Sequence, residues 1–428
     1  MFWRACYCLA TWAALPFVFA YFAWRSRREP GYRHHWRERL GAGEAVPGSP
    51  IWIHAASVGE VVLIAPLVNA LRERYRGVAL LITTMTPTGR AQAQHRFGDD
   101  VYYRYIPLDT LDATRRFFRR VNPRIGVITE TELWPNLVAA ADQSQVPLAL
   151  VNASLSARSE RRYRHAALAA SMRFMLARFA VIAASTERHA RRFASLGADP
   201  EAVHVTGNLK YDMPETQAIT KDGATLRSDW QATARPVWVA ASTHSGEERR
   251  LVEAYDSVLK THGNTLLVIA PRHPQRFDAV ARELSGSGYR VARRSLGEPV
   301  TPATDIVLAD TLGEVPVFYA AADVVFVGGS LLPGVGGHNM IEAAALGRPL
   351  CVGPYIEEWQ DVVDTLVAVD GAAICANPRE LARRVAAWLD QPAMLEQAGQ
   401  SAAEVAATHR GAVARSLALI EDLMGVES

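Results

Sequence analysis

Short apolar runs alternate with longer amphipathic segments from Ile51 onward, and this alternation constrains the fold more than any other feature. Apolar runs bounded by turn signals are typical of buried strands, and the amphipathic segments between them are typical of helices. Because strands joined by helices pair in parallel, the pattern predicts a parallel sheet with helices on both faces. The first series of predicted strands comprises 51–55, 78–83, 101–106, 125–129, 148–151 and 181–184.

A second series of the same kind begins after a polar stretch, 212–235, that has no strong period and reads as a linker. Its predicted strands are 237–241, 265–270, 289–292, 306–309, 324–327 and 349–352. The pattern predicts an α/β protein with two facing, doubly wound, Rossmann-like domains, 29–211 and 236–428. Ligands of such sheets bind at the carboxyl ends of the strands, so we expect the site there.

The segment 1–28 is predicted to be a membrane anchor. Residues 5–24 are almost wholly apolar, which is close to the roughly 20 residues that cross a bilayer. The arginines that follow favour a cytoplasmic location for the rest of the chain. Pro16 and the aromatic residues Trp3, Trp12, Tyr21 and Trp24 leave open a helix that lies in the interface instead of spanning it.

Composition excludes several classes of protein. The formal net charge is +2, which gives no global field for nucleic acid. The four cysteines show no metal-ligand spacing, so a structural zinc is disfavoured. No D-x-D motif occurs, and paired carboxylates are what Mg²⁺ on a nucleotide diphosphate typically needs. The sequence therefore predicts metal-independent chemistry and no resident cofactor.

The glycine-rich segment Gly328–Glu342 follows a predicted buried strand and ends in a predicted helix near Asn339. Glycines allow the backbone to approach a ligand, and a helix N-terminus offers free N–H groups to a phosphate. Glu342 could accept two ribose hydroxyls. Asn339 and Glu342 also have the spacing of a capping box, and both interpretations can hold. The segment predicts a nucleotide site.

Two more loops follow strands of the second series. Arg272 and His273 come after 265–270, where the arginine could contact a phosphate through two N–H groups or could be an ordinary surface charge. Ser242 and Thr243 come after the predicted strand 237–241. Their hydroxyls could contact a ligand, or they could cap the helix that follows.

Polar residues also follow strands of the first series. Glu60, close after Ser57 and Gly59, is either a general base or a carboxylate favoured at a helix start. The others are Arg90, which suits an anionic ligand, the carboxylates Glu130 and Glu132, and Asn152 and Ser154. A basic run from Arg158 to Arg164 could meet lipid phosphates or be a solvated helix face.

Four motifs in this order resemble those of the 3-deoxy-D-manno-octulosonic acid (Kdo) transferases. They are Ser57-x-Gly59-Glu60, Thr129–Asn136, Gly207–Asp212 with Lys210, and Gly328–Leu331 through Gly336–Asn339. The resemblance extends from the N-terminal anchor to roughly the end of the chain. Each motif alone is weak evidence for this family, but all four in the same order are specific to it.

The resemblance implies a GT-B fold and inverting transfer of Kdo from CMP-Kdo to a lipid A precursor at the cytoplasmic face of the inner membrane. Glu60 matches the family's base, and Arg90, Glu130 and Glu132 match residues on the acceptor and sugar side. Ser57, Gly59, Asn152, Ser154 and Lys210 are expected on that side too. The CMP-binding positions implied are Ser242, Thr243, Arg272, His273, Gly337, Asn339 and Glu342.

The sequence departs from the family pattern at Met340, Ile341 and Ala343, where a proline-fixed helix start is usual, and at Tyr355 and 357–359. Because of these departures, the resemblance predicts the donor more firmly than it predicts the acceptor or the number of sugars added. The alternatives are a GT-B transferase or epimerase that uses a UDP-sugar, and a membrane-docked scaffold without activity.

Overall fold

The computed structural model describes residues 2–27, 29–212, 217–357 and 359–425. Three of the segments discussed in the sequence analysis fall partly outside these residues. They are the predicted anchor, at residues 1 and 28, the predicted linker, at residues 213–216, and the departure from the family pattern at 357–359, at Glu358. The chain forms two compact units, unit 1 (Met1–Asp212 with Arg410–Ser428) and unit 2 (Met213–His409).

Unit 1 is built on a parallel sheet of seven strands in the order β3-β2-β1-β4-β5-β6-β7. The strands are β1 Ile51–His54, β2 Leu80–Thr84, β3 Tyr102–Tyr105, β4 Ile125–Thr129, β5 Leu148–Ala153, β6 Val181–Ala184 and β7 Val203–Val205. The helices are α1 Phe2–Arg25, α2 Trp36–Arg39, α3 Val58–Arg74, α4 Pro87–Phe97, α5 Leu111–Val121, α6 Pro135–Gln143, α7 Ala157–Tyr163, α8 Ala166–Leu176 and α9 Glu187–Ser195. The central strands β1, β2, β4 and β5 are buried throughout, as expected for strands covered on both faces.

Unit 2 repeats this architecture with the strand order β10-β11-β9-β8-β12-β13-β14. Its strands are β8 Val237–Thr243, β9 Leu266–Pro271, β10 Val291–Arg293, β11 Ile306–Leu308, β12 Val324–Val327, β13 Leu350–Val352 and β14 Ala372–Ile374. Its helices are α10 Gln217–Asp229, α11 Glu247–Val258, α12 Phe277–Ser285, α13 Val315–Ala321, α14 Ile341–Ala345, α15 Gln360–Val367, α16 Pro378–Asp390 and α17 Pro392–Thr408. The prediction of two doubly wound parallel-sheet domains is confirmed.

The stretch 212–235, expected to be a linker, contains α10, which packs on α13 in unit 2. Arg227 makes a two-pronged ion pair with Asp323 at 2.8 Å for each N–H···O bond. Trp230 is buried and stacks on Phe318 with ring centroids 6.1 Å apart. The sequence of this stretch resembles a linker because most of its residues are polar and only a few of them make the buried contacts.

The end of the chain belongs to unit 1, although the sequence analysis placed all of 236–428 in the second domain. The last helix, α18 Ala412–Leu423, packs on α3. Ala412 and Ile420 are fully buried in the core of unit 1. An amphipathic helix shows that it has a buried face without showing which sheet covers it, so the sequence could not assign this helix.

Among the described residues, one helix segment, Trp3–Arg25, is long and apolar enough to cross a membrane. Length and composition are all that this test measures. The location of the chain at a membrane therefore stays a prediction.

Candidate active site

Strand order reverses between β1 and β4 in unit 1 and between β8 and β12 in unit 2. At such a switch point the loops leave neighbouring strands in opposite directions and open a crevice at the carboxyl edge of the sheet. The loops after these four strands carry most of the predicted site residues.

Glu60 lies in the first turn of α3, directly after β1. Ser57 caps the helix, its hydroxyl donates to Glu60 Oε1 at 3.1 Å, and the Ala56 N–H donates to Oε2 at 2.9 Å. Burial raises the pKa of Glu60 to about 7, and the charges of Glu130 and Glu132 add to the effect. A carboxylate with such a pKa can take up a proton near neutral pH.

Glu130 and Glu132 follow β4 and form an acidic group with Glu60. Glu130 has a left-handed backbone conformation with φ of 59°, and its N–H donates to the Val151 carbonyl at 2.9 Å. Trp134 Nε1 donates to Glu132 Oε2 at 2.9 Å, and burial raises the pKa of Glu132. The structure thus brings the three predicted carboxylates of unit 1 together.

Arg90 lies in α4 and forms an ion pair with Glu38, with 2.5 Å between Nη1 and Oε2. Its guanidinium also lies 5.2 Å from the ring centroid of Tyr105. Glu38 additionally accepts from the Tyr105 N–H at 2.9 Å. In this state Arg90 orders the segment before β1, and its contact with an acceptor stays a prediction.

The remaining acceptor-side residues of unit 1 make structural contacts. Gly59 lies beside Ser57 in the first turn of α3. Asn152 is buried, and its Oδ1 accepts from the Leu209 N–H at 2.9 Å, which fixes the turn that carries Lys210. The carbonyl of Ser154 accepts from the Thr131 hydroxyl and ties the loop after β5 to the loop after β4. Binding roles for these residues stay predictions.

In unit 2, Glu247 holds the two loops of the switch point together. This fully buried carboxylate accepts from the N–H groups of Gly329, Ser330 and Leu331 at 2.8, 3.1 and 2.9 Å. It also accepts from the His244 N–H at 2.8 Å. Three N–H groups of the glycine-rich segment are therefore occupied by a side chain and are not free for a phosphate.

The glycine-rich segment passes very close to the loop after β8. A Cβ atom at Gly328 would lie 2.5 Å from the carbonyl oxygen of Ser242, so only glycine fits there. Ser242 itself has a φ of 57° at an irregularity in the pairing of β8 with β9. Ser242 thus shapes the loop through its backbone.

Thr243, expected to contact the ligand, is buried and donates its hydroxyl to Glu248 Oε1 at 2.7 Å. Glu248 also accepts from Arg276 Nη2 at 2.8 Å. The hydroxyl is therefore not available to a ligand in this structure, because it helps to satisfy a carboxylate that is fully buried. Thr243 is not the helix cap either, because the cap position of α11 is Gly246.

Three histidines and the positively charged Arg272 lie together beside the switch point of unit 2. His244 Nε2 lies 2.8 Å from His338 Nε2, and the rings of His244 and His273 meet edge to face at 5.1 Å. Burial lowers the pKa of His338, and together with the neighbouring His244, Arg272 and His273 it brings the value to about 4. Arg272 is exposed, and no carboxylate of the described residues pairs with it.

The helix predicted near Asn339 is α14, which begins at Ile341 and has five residues. Asn339 Oδ1 accepts from the Ile341 N–H at 3.0 Å, and its amide donates to Glu342 Oε1 at 3.0 Å. Burial raises the pKa of Glu342, while Asn339 and the charge of Arg272 lower it. Gly337, with φ of 89°, leads into this turn. Asn339 thus bonds to the first residue of α14, but the cap position is Met340 and the observed bond between Asn339 and Glu342 joins their side chains, unlike that of a capping box. The ribose role of Glu342 stays a prediction.

Known proteins similar to this chain identify its family. A family model described as 3-deoxy-D-manno-octulosonic-acid transferase (kdotransferase) matches residues 34–213. A 3-deoxy-D-manno-octulosonic acid transferase from Haemophilus influenzae is 35% identical over 423 residues, 98% of each chain. One from Bordetella pertussis is 38% identical over 437 residues, 99% of this chain and 100% of the relative. This chain belongs to the Kdo transferase family.

Membership of this family makes the chain a glycosyltransferase. A solved glycosyltransferase structure from Rickettsia africae has a TM-score of 0.56 and is 11% identical, covering 89% of this chain and 100% of that chain. At this identity the likeness shows the fold alone, which is GT-B. The resemblance that the four motifs indicated is confirmed.

Three side chains of the unit 2 switch point were missing from the predicted site: His244, Glu247 and His338. His338 lay inside a motif of the Kdo transferase resemblance, but single histidines give no signal of their partners. Glu247 stands three residues after His244 at a helix start, a spacing that indicates a local cap. Its bonds to residues 329–331 span more than eighty positions, and no local pattern encodes them.

Proposed function

We propose that this Kdo transferase family member moves Kdo from CMP-Kdo to a lipid A precursor, with inversion and without a metal ion. Glu60 is the general base. The observation that supports this role is a buried carboxylate with a pKa near 7 at the switch point of unit 1, beside two further carboxylates. Coverage of nearly the whole chain by named Kdo transferases supports the substrate class.

In the proposed step, Glu60 takes the proton of the acceptor hydroxyl. The acceptor oxygen forms a bond to the anomeric carbon of Kdo from the face opposite CMP. The bond between that carbon and the phosphate oxygen breaks, and CMP leaves with the bonding electrons. A positioned base of this kind contributes a factor of about 10² to 10⁴ to the rate.

Arg272 is proposed to bind the single phosphate of CMP-Kdo, with the histidine group of His244, His273 and His338 beside it. A guanidinium without a carboxylate partner has its N–H groups available for two parallel bonds to phosphate oxygens. The ring N–H groups of these histidines can donate hydrogen bonds to the phosphate oxygens of the departing CMP. Gly337, Asn339 and Glu342 are proposed to hold the nucleoside.

The acceptor is proposed to reach unit 1 from the cytoplasmic face of the inner membrane. Two features support this location: the apolar helix Trp3–Arg25, and the exposed arginines of α7 and its flank, Arg158, Arg161, Arg162 and Arg164. Basic side chains near a bilayer bind anionic lipid phosphates. A lipid A precursor offers both acyl chains and phosphate.

The test is to incubate the purified full-length protein with CMP-Kdo and the tetraacylated lipid A precursor and to read the products by mass. We expect the precursor to gain Kdo in the absence of added metal and in the presence of a chelator. Loss of activity with the chelator would overturn metal independence, and no product at all would overturn the acceptor.

Thermal stabilisation by nucleotides tests the donor separately. CMP should raise the melting temperature and UDP should not, because a ligand stabilises only the protein that binds it. Stabilisation by UDP but not by CMP would favour an enzyme that acts on a UDP-sugar.

A further inference from the structure

Helix α1 contacts unit 1 along its whole length through one face. Most of its partly or fully buried residues recur every three or four positions, at Trp3, Tyr7, Thr11, Leu15, Val18 and Phe22, and the others, Arg4, Cys8, Phe19 and Arg25, lie next to these in sequence or in the last turn. This spacing defines a single stripe on a helix. The stripe begins in the first turn and ends in the last, so the contact is not confined to the end that leads into the rest of the chain.

The N-terminal part of the stripe is fixed by specific polar and aromatic contacts. The Tyr7 hydroxyl donates to Asp109 Oδ2 at 2.8 Å, and Cys8 Sγ lies 3.2 Å from Asn136 Oδ1. Asp109 is itself occupied at the start of α6, where it accepts from the N–H groups of Asn136 and Leu137. Tyr7 therefore contacts a polar cap that belongs to the globular part of unit 1.

The C-terminal part of the stripe contacts the same unit. Phe22 packs on Tyr32 with ring centroids 5.5 Å apart, and the Arg39 guanidinium lies 4.5 Å from the Phe22 ring. Tyr7 and Phe22 are fifteen positions apart, which is about 22 Å along a helix axis. The axis of α1 thus runs along the surface of unit 1.

This placement conflicts with a membrane span. If α1 crossed the bilayer, its contacts near Tyr7 would place Asp109, Asn136 and the start of α6 about 22 Å deep in hydrocarbon. Carboxylates and helix ends without water are strongly disfavoured there. A helix in the plane of the interface keeps these groups out of the hydrocarbon.

The opposite face of α1 is apolar and exposed. Leu9, Trp12, Phe17, Tyr21 and Trp24 are 74%, 52%, 77%, 48% and 54% exposed. Tryptophan and tyrosine favour the boundary between headgroups and acyl chains. Arg4 and Arg25 lie at the two ends of the helix, and exposed arginines at 27, 33 and 37 follow it. Apolar rings flanked by positive charge complement an anionic lipid surface.

We infer that α1 is an in-plane anchor, which lies flat in the cytoplasmic leaflet of an anionic membrane with one face on unit 1, and that both chain termini stay on the cytoplasmic side. The inference rests on the membrane location proposed above and is independent of the donor and of the reaction.

Topology mapping of the full-length protein tests this directly. The protein carries an epitope at either the N- or the C-terminus, and protease is added to intact spheroplasts or to sealed inverted membrane vesicles. We expect both epitopes to be protected in spheroplasts and digested in inverted vesicles. An N-terminal epitope digested only in spheroplasts would overturn the in-plane helix while leaving the membrane location intact. Recovery of the protein in the soluble fraction would overturn the membrane location itself.

A second measurement identifies what covers the exposed face. The double variant Leu9→Ser, Phe17→Ser should bind at least tenfold more weakly to vesicles that contain phosphatidylglycerol. Leu312→Ser, which replaces an equally exposed leucine of unit 2, should bind as the parent does. If the double variant keeps its vesicle binding but changes from dimer to monomer in detergent, a second copy of the chain covers this face and the inference is wrong.

Discussion

The two units share one topology and differ in the charge that they place at the switch point. Unit 1 gathers Glu60, Glu130 and Glu132, and burial, with a smaller contribution from the charges of the other two carboxylates, raises the pKa of Glu60 to about 7. Unit 2 places three histidines beside Arg272, where burial lowers the pKa of His338 and the positive charge of Arg272 adds to the effect. The same sheet edge thus suits proton uptake in one unit and anion binding in the other, because the strands position the loops and the loop side chains decide the chemistry.

The two switch points also differ in how they are held. In unit 1 the carboxylate of Glu60 bonds to Ala56 and Ser57, within one turn of chain. In unit 2 the carboxylate of Glu247 bonds to residues 329–331, from the far side of the switch. Loss of Glu60 should therefore affect the reaction, whereas loss of Glu247 should affect the structure of the loop.

The largest expected effect comes from Glu60→Gln, which keeps an oxygen for the helix cap but cannot take a proton. We expect the rate of transfer to fall by about 10² to 10⁴, with the melting temperature close to that of the parent. Glu73→Gln, an exposed change on the same helix, is the matched control and should retain full activity. A Glu60→Gln protein with the parent's rate would exclude Glu60 as the base.

The next effect is on stability. Glu247→Gln replaces one of two acceptor oxygens by an NH₂ group, so two of four buried N–H groups lose their acceptor. At 1–3 kcal/mol for each unsatisfied group, we expect a loss of about 3 kcal/mol from the stability of unit 2. Hydrogen exchange of peptides that contain residues 329–331 should accelerate, and CMP should bind more weakly.

The control is Glu253→Gln, on the exposed side of the same helix, α11. It should change neither the hydrogen exchange of residues 329–331 nor the affinity for CMP. Unchanged exchange of residues 329–331 in Glu247→Gln would show that the loop does not depend on this carboxylate.

Removal of the Arg272 side chain should weaken CMP binding, with a smaller free-energy change than the loss of stability expected for Glu247→Gln. A charge-assisted bond contributes about 1.5–3 kcal/mol, so Arg272→Ala should raise the dissociation constant for CMP roughly tenfold to a hundredfold. Arg272→Lys should lie between, because lysine keeps the charge without the planar fork. Calorimetry with CMP and with cytidine separates the phosphate contribution, and cytidine binding should not change.

The exposed Arg282 of α12 provides the control for charge alone, and Arg282→Ala should bind CMP as the parent does. Equal losses for CMP and cytidine in Arg272→Ala would place this arginine away from the phosphate.

The sequence predicted most of the fold because the central strands are continuous apolar runs. It missed the edge strands β7 and β14, which have three residues each and include exposed positions such as Val205 and Ile374. It also missed the return of α18 to unit 1. These features depend on which surface covers a short or amphipathic segment, and local sequence does not contain that information.

The positions of the candidate residues were predictable to the level of loops and charge, while their roles stay predictions. A carboxylate or an arginine that directly follows a buried strand must lie at the binding edge of the sheet, which is why Glu60, Glu130, Glu132 and Arg272 could be named. Hydrogen-bond partners could not be predicted in the same way. The hydroxyl of Thr243 turns to Glu248, a choice set by packing within unit 2 rather than by spacing.

The smallest expected effect is a shift in the pH dependence of transfer. Glu60 must be ionised to accept a proton, so kcat/KM should rise with pH through the pKa of Glu60, about 7. The negative charge of Glu132 disfavours ionisation of Glu60, and Glu132→Gln should therefore move this rise to lower pH. Glu73→Gln should leave the profile in place, since Glu73 is exposed and its charge does not contribute to the Glu60 shift. A rise that stays at the same pH in Glu132→Gln would mean that a group other than Glu60 controls it.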